Sequence, residues 1–575
     1  MTQNNRFTRC LLIGFLSIPL WLGAQTYPKD YFRSPLDIPI KLSGSFGELR
    51  TNHFHSGLDI RTNSVEGLKI YAAAEGHVSR IKVSAYGYGN ALYIDHPNGY
   101  TTVYAHLRDF EEPIKSWVEK KHYEKQNFEL DIPLYPNELP VTKGQVVAFS
   151  GNSGGSGGPH LHFELRDTKT EAIINPKYFG FVIPDNIAPV IDYLEVVPYS
   201  RDARINGSSN KKRFAAVRAA NGQYSIAQRL ETAGPCYVQV RAWDKHNGNE
   251  FRNGIHKLVI RSGSDTLYAF TADRFEFNET RYANAVMDYQ ARMLHRDQIY
   301  RGFKSSGNLL AMVRQPVKGA TLELSPGESK TYQLSVEDYN GNQTSMQFTV
   351  HGAAHGTAEI APPVVILKRF PPNEAWSWAT EDLRLNMPAN NLYDTLDFEY
   401  TRSAKPYAMF SAVHTVHKAE VPVHGFYDLS IRQSGLADSL KSKTVLVNIN
   451  INKGRSALLG KWEGDWFKAK ARGLGDFYLA IDTIKPTIKV LSLRPGGTYA
   501  LGQQIRFTLS DNLAGLGSYH LYLDDQWQKA VFDGKTASLS YTIHENSPKG
   551  NLNLHLVVKD GVGNTATYTN KIHIP

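Results

Sequence analysis

The sequence predicts an all-β chain of several modules, and three observations lead there. Short runs of alternating apolar and polar residues, bounded by Gly, Asn and Asp turns, recur along most of the length. An Asp followed by Gly-Asn closes two separate stretches, Val336-Glu337-Asp338-Tyr339-Asn340-Gly341-Asn342 and Val558-Lys559-Asp560-Gly561-Val562-Gly563-Asn564, which is a hairpin signal repeated in two places. One segment, 109–130, breaks the pattern with Ile114, Trp117, Val118 and Lys121 at helical spacing.

The elements follow in chain order. Arg6 and Arg9 precede an apolar run from Cys10 to Leu22 that leaves through Gly23-Ala24-Gln25, the layout of a secretory signal peptide over residues 1–24. The run is short for a membrane span and no later stretch approaches one; retention as an anchor is the competing reading. Removal takes away two arginines and no acid, lowering the net charge from +9 to +7, and leaves Cys236 as the sole thiol, so no intrachain disulfide forms. At 575 residues, 41% hydrophobic and 21% charged, the chain is neither disordered, collagen-like nor a polytopic membrane protein.

Residues 27–184 read as an antiparallel β domain, with strands at 91–95, 101–107, 145–149 and 160–165 and turns at Asn98-Gly99 and Lys143-Gly144. The insertion 109–143 carries the helix, docked by its apolar side; its place between two motif-bearing strands suggests a lid. Residues 187–355 and 484–575 read as two immunoglobulin-like β-sandwiches. They open on Ile187-Ala188-Pro189-Val190 and Ile484-Lys485-Pro486-Thr487 and carry strands ending in Asp244 and Asp511. The first is enlarged by an insertion around 270–315. Residues 360–482 form a further β-rich module.

Three motifs in the first domain carry chemistry: His55-Ser56-Gly57-Leu58-Asp59, Tyr104-Ala105-His106-Leu107 and His160-Leu161-His162. Period two puts Leu161, Phe163 and Leu165 on one face and His160, His162 and Glu164 on the other. The same rule, applied to 101–107, sets Val103, Ala105 and Leu107 inward and Thr102, Tyr104 and His106 opposite. On a straight strand His55 and Asp59 stand about 13 Å apart, so sharing an ion requires a bend, which Ser56-Gly57 supplies. Two histidines, a carboxylate and a position left for water make a catalytic zinc set. Several residues read as structural: His53 lines the groove or supports a ligand, Glu164 forms a salt bridge, and His77, His96, His414, His417 and His424 lie on β surfaces or turns. Lys211-Lys212-Arg213 is a solvated loop, and Gly151 to Gly158 a flexible rim lacking the Lys-Ser/Thr of a phosphate loop.

The first domain resembles the lysostaphin/LytM-type zinc endopeptidases of bacterial peptidoglycan. The match runs in order through Phe46-Gly47-Glu48-Leu49-Arg50, the His55 to Asp59 motif, Glu75-Gly76-His77-Val78, Tyr104-Ala105-His106-Leu107, Gly151-Asn152-Ser153-Gly154 and Gly158-Pro159-His160-Leu161-His162-Phe163-Glu164, over about a quarter of the chain. The resemblance implies a duplicated hybrid motif fold, one Zn2+ held by His55, Asp59 and His162, and catalytic histidines His106 and His160. Peptidoglycan stem or cross-link peptides would be the substrate, and the location periplasm, cell envelope or outside the cell. The long segment between His106 and Gly144 departs from the family pattern and affects groove shape. A second reading is a non-catalytic peptidase-fold scaffold that binds wall or regulates another hydrolase. The β-sandwiches fit a cell-envelope protein partner; nucleic acid is not expected, nor a membrane span once the signal is removed.

Overall fold

Alternation turns into strands throughout the computed structural model, which describes residues 26–248, 250–316, 321–354, 366–404 and 410–575. The signal-peptide reading lies outside the described residues. In the N-terminal domain the main sheet runs in the order Leu42–Gly44, Leu58–Arg61, His160–Asp167, Tyr100–Leu107, Asn90–Asp95, Gly76–Val83 and Leu130–Pro133. All neighbours are antiparallel. His160–Asp167 is therefore central, with Asp59 beside His162 on one side and Ala105 on the other. Its alternate residues Leu161, Phe163 and Leu165 are fully buried, each worth about 1.5–3 kcal/mol of apolar burial. That core fixes which face the histidines must take.

The neighbouring strand corrects one expectation. Tyr104 pairs with Phe163 and Ala105 with His162, so Thr102 and Tyr104 share the core face while Val103 and Ala105 share the histidine face. His106 nevertheless reaches the histidine face. The pairing register with Asn90–Asp95 slips between Asn90 and Leu92, and His106 takes φ 59°, a left-handed backbone that breaks the alternation.

The predicted helix spans Ile114–Lys125 and buries Ile114, Val118 and His122 against the domain. Its other side is also occupied. Tyr123 packs edge-on to Trp527 of the last module, with ring centres 5.4 Å apart, and Glu119 pairs with Lys529. Beside it, Lys535 donates to the Asn152 carbonyl. The helix is thus held between the domain and the C-terminal module rather than free to swing as a lid.

The remaining modules are also built of strands, the first on a single connected twelve-stranded sheet. The first joins the N-terminal domain directly, because Arg274-Phe275 adds to its sheet beside Ile173–Ile174. Its insertion supplies short helical turns, Thr280–Tyr282, Ala283–Val286 and Tyr289–His295. These sit on the 48–54 hairpin: the Phe54 amide donates to Thr280 Oγ1 (3.1 Å) and Gln298 to Glu48 (2.9 Å). The middle module has two five-stranded sheets and the last has two four-stranded ones. No helix among the described residues is long and apolar enough to cross a membrane.

Several histidines read as surface residues are not. His96 is buried, bridging the Glu75 carbonyl and Thr102 Oγ1 at 2.8 Å each. His414 and His417 are buried in the middle module, His414 facing the Tyr400 hydroxyl at 2.9 Å. His424 stacks on Tyr282 across a module boundary. Nor is 211–213 a bare loop: Lys211 pairs with Asp288 and Glu195, and the Arg213 guanidinium lies 3.8 Å over Tyr193. Burial of aromatic neighbours and distant acids, invisible to local pattern, accounts for each.

Candidate metal centre

The bend at Ser56-Gly57 brings His55 beside Asp59. Glycine is required there for space rather than for an unusual φ: a Cβ on Gly57 would lie 2.4 Å from the Phe163 carbonyl and 3.0 Å from His162 Nε2. Asp59 Oδ1 lies 2.9 Å from both His55 Nε2 and His162 Nδ1, and these two nitrogens are 3.1 Å apart. All three residues are buried.

The outer nitrogens of both rings are committed. His55 Nδ1 lies 2.8 Å from the Ser45 carbonyl, which can only accept, so Nδ1 carries the proton and Nε2 offers its lone pair. His162 Nε2 is 2.8 Å from Glu164 Oε1 and donates to it, which turns Nδ1 inward as a lone pair. Two imidazole lone pairs and a carboxylate oxygen converging within 3.1 Å repel one another unless a cation lies among them. This donor set fits Zn2+ with an open position for water. Without metal a proton takes that place: burial opposes charge on His162, but its hydrogen bonds to Asp59 and Glu164 prevail and raise its pKa to about 9. Burial drives His55 the other way, to about 4. Asp59 is held well below the usual carboxylate range by the three surrounding histidines despite its burial.

Glu164 is the hub of a supporting network. It is fully buried and pairs with Arg166 Nε at 2.7 Å. It also accepts from Ser56 Oγ (2.6 Å) and the Tyr88 hydroxyl (2.5 Å). The charge of Arg166, then the hydrogen bond and charge of His162 and the Ser56 hydroxyl, outweigh its desolvation and keep it ionised. The salt bridge expected of Glu164 is present, but its partners include a histidine of the centre. Sequence reasoning passed over Arg166, Tyr88 and Arg50, whose guanidinium holds Asp59 Oδ2 at 3.2 Å. For Arg166 a signal existed: it extends the period-two polar stripe His160, His162, Glu164 by one step. Tyr88 lies on another segment and gave none, while Arg50 stood in the matched run Phe46 to Arg50 without a role assigned to it.

His106 and His160 flank the centre, with ring centres 4.8 Å apart. His106 Nδ1 donates to the Ser153 carbonyl (2.9 Å) and His160 Nδ1 to the Gly158 carbonyl (2.8 Å), leaving each Nε2 free to face the centre. His160 Nε2 is 3.4 Å from Asp59 Oδ1. The glycine-rich segment read as a flexible rim therefore supplies the carbonyls that orient both rings. Burial, then the charges of His162 and His160, depress His106 to about 3, so it is neutral at pH 7. His53 is exposed and bonds only its local Thr51 carbonyl. A cavity of about 740 Å³ opens beside this rim, walled by Arg108, Asn152 and Ser156 on one side and Lys529, Phe532 and Lys535 of the last module on the other.

Residues 53–123 match the sequence profile of Peptidase family M23. The N-terminal domain is an M23 peptidase domain. A second profile, described as a Zu5-like domain, matches 368–482. Among curated relatives, the DD-carboxypeptidase/endopeptidase Mpg of Neisseria meningitidis is 33% identical over 131 residues, 22% of this chain and 24% of the relative. The peptidoglycan DD-endopeptidase ShyA of Vibrio cholerae is 30% identical over 149 residues, 25% and 29% of the two chains. The catalytic domain of lysostaphin from Staphylococcus simulans matches structurally at 21% identity, covering 24% of this chain and 91% of that one, with a TM-score of 0.19. The chain spans about a quarter of the length of these curated relatives.

Proposed function

We propose that the M23 domain is a zinc metalloendopeptidase acting on stem or cross-link peptides of bacterial peptidoglycan, exported to the cell envelope or beyond. The observation that carries this reading is the convergence of His55 Nε2, Asp59 Oδ1 and His162 Nδ1, with both imidazoles locked in the metal-ready tautomer and two further histidines alongside. The names borne by the relatives support the choice of substrate.

His55, Asp59 and His162 would hold the ion. Bound there, Zn2+ polarises a peptide carbonyl and lowers the pKa of water toward neutrality. His106 and His160 do the proton work. Each presents an unprotonated Nε2 when neutral, so one accepts the proton of the attacking water. The other, as imidazolium or through that relayed proton, hydrogen-bonds the oxygen where charge develops and returns a proton to the leaving amine. The Ser153 and Gly158 carbonyls hold both rings in place through this cycle, with no reorganisation to be made during reaction.

Digestion of purified peptidoglycan by wild type, His160→Ala and chelator-treated protein tests the reading. Mass analysis should show fragments released by peptide-bond cleavage from wild type alone. A folded, zinc-loaded protein that leaves wall peptides intact would favour the scaffold reading instead.

A further inference from the structure

The two modules on either side of the Zu5-like one carry the same polar cluster at corresponding places. In the first, Asp185 leads into Ile187-Ala188-Pro189, Asp244 follows the strand Cys236–Trp243, and Asp338 opens the turn before the strand Gln343–Gly352. In the last, Asp482 leads into Ile484-Lys485-Pro486, Asp511 follows Gln504–Ser510, and Asp560 ends Gly550–Asp560. Ligand atoms of Asp185, Asp244 and His246 lie within 4.8 Å of one another, and so do those of Asp482, Asp511 and Asp560. The scaffolding is the same down to one amide: Asn342 Nδ2 bonds Asp338 Oδ2 (2.8 Å) and the Asp185 carbonyl (3.3 Å), while Asn564 Nδ2 bonds Asp560 Oδ2 (2.6 Å) and the Asp482 carbonyl (2.9 Å).

Clustered acids alone would not make a site. The independent observation is what those bonds leave over. The Asp244 side chain is 2% exposed, yet its Oδ1 is buried without a hydrogen-bond partner, and Asp185 Oδ2 is in the same condition. Asp511, the counterpart of Asp244, has its own Oδ1 buried and unpartnered. A buried carboxylate oxygen without a donor is costly, and the same orphan recurs at the same position of two modules.

Charge points the same way. Asp185, Asp244 and Asp338 face one ammonium, Lys177, which donates to Asn340 Oδ1 at 2.7 Å and feels all three carboxylates. Three negatives and one positive leave the charge that a divalent cation cancels. Carboxylate oxygens favour hard cations such as Ca2+ or Mg2+ over Zn2+.

We infer that each of these modules binds one Ca2+-type cation at its entry, through Asp185 and Asp244 beside Asp338 in the first and through Asp482, Asp511 and Asp560 in the last. Each ion would tie the segment arriving from the preceding domain to two turns of the module, stiffening two junctions of the chain. This inference is independent of the peptidase reading.

The test is calorimetric titration of CaCl2 into the full chain, stripped of metal and reloaded with one equivalent of zinc. Two Ca2+ per chain should bind, with Asp244→Asn removing one, Asp511→Asn the other, and zinc content and far-UV circular dichroism unchanged in both. Saturating Ca2+ should raise the Tm of wild type by at least about 5 °C and leave the double variant unmoved. Absence of saturable binding up to about 10 mM Ca2+, above the range of extracellular calcium modules, overturns the inference. So does a stoichiometry that both variants leave intact. Should a variant fail to fold, the wild-type titration alone decides.

Discussion

Glu164 does at the level of one residue what the ligand set cannot do for itself: it accepts the hydrogen bond of His162 Nε2–H and so turns Nδ1 toward Asp59. Glu164→Gln should weaken zinc binding about 10- to 100-fold, read by competition with a chromophoric chelator. It should also cost about 3 kcal/mol in urea unfolding, because Arg166 is left buried without its counter-charge. The flanking histidines predict a different split. His106→Ala should abolish turnover with near-stoichiometric zinc retained, whereas Asp59→Ala should lose both, measured by peptidoglycan digestion alongside metal analysis. Equal zinc loss in the two variants would contradict these roles. The pairing of His160 with His162 was open to sequence reasoning because period two is local. Which nitrogen carries a proton was not open in the same way for His55 and His106, since Ser45 and Ser153 contribute those carbonyls from other segments.

Among the elements, the strand Tyr100–Leu107 shows where strand parity misleads. Alternation put Tyr104 on the polar face, but the register slip against Asn90–Asp95 sends its ring into the core against Phe163 and swings His106 round. A bulge is a property of two strands together, and one strand's sequence does not declare it. The helix Ile114–Lys125 was legible from its own apolar spacing, yet its outer face is decided by a module four hundred residues away. Charge reversal tests that contact. Glu119→Lys should loosen docking of the last module, read as faster amide hydrogen exchange along 114–125. Adding Lys529→Glu should restore protection, with a coupling of about 1 kcal/mol in the double-mutant cycle.

Across the whole molecule, buried histidines set the response to acid. His55 and His256 are each depressed to about 4 and His106 to about 3, in every case chiefly by burial. A depressed histidine contributes stability above its unfolded value of about 6.5 and loses it as pH falls toward the folded value, because only the unfolded chain takes up the proton. His162 has the opposite sign, stabilising below about 6.5 and losing that contribution as pH rises through about 9, but one group does not offset three. The metal-free protein should therefore be less stable at pH 5 than at pH 7 by about 2 kcal/mol for each depressed histidine, checked by urea midpoints. Zinc loading should leave the His55 part of that loss in place, because the ion only keeps folded His55 unprotonated while the unfolded chain still takes up the proton.

The sequence by itself determined the all-β class, the repeated Asp-Gly-Asn modules and the display of His160, His162 and Glu164 on one strand face, since each follows from spacing along a few neighbouring residues. Only the tertiary structure decided the aim of His106, the tautomers of the centre, and the packing of the last module against the helix and the glycine-rich rim. Those depend on carbonyls, charges and rings that arrive from distant segments, and their positions exist only once the chain has closed on itself.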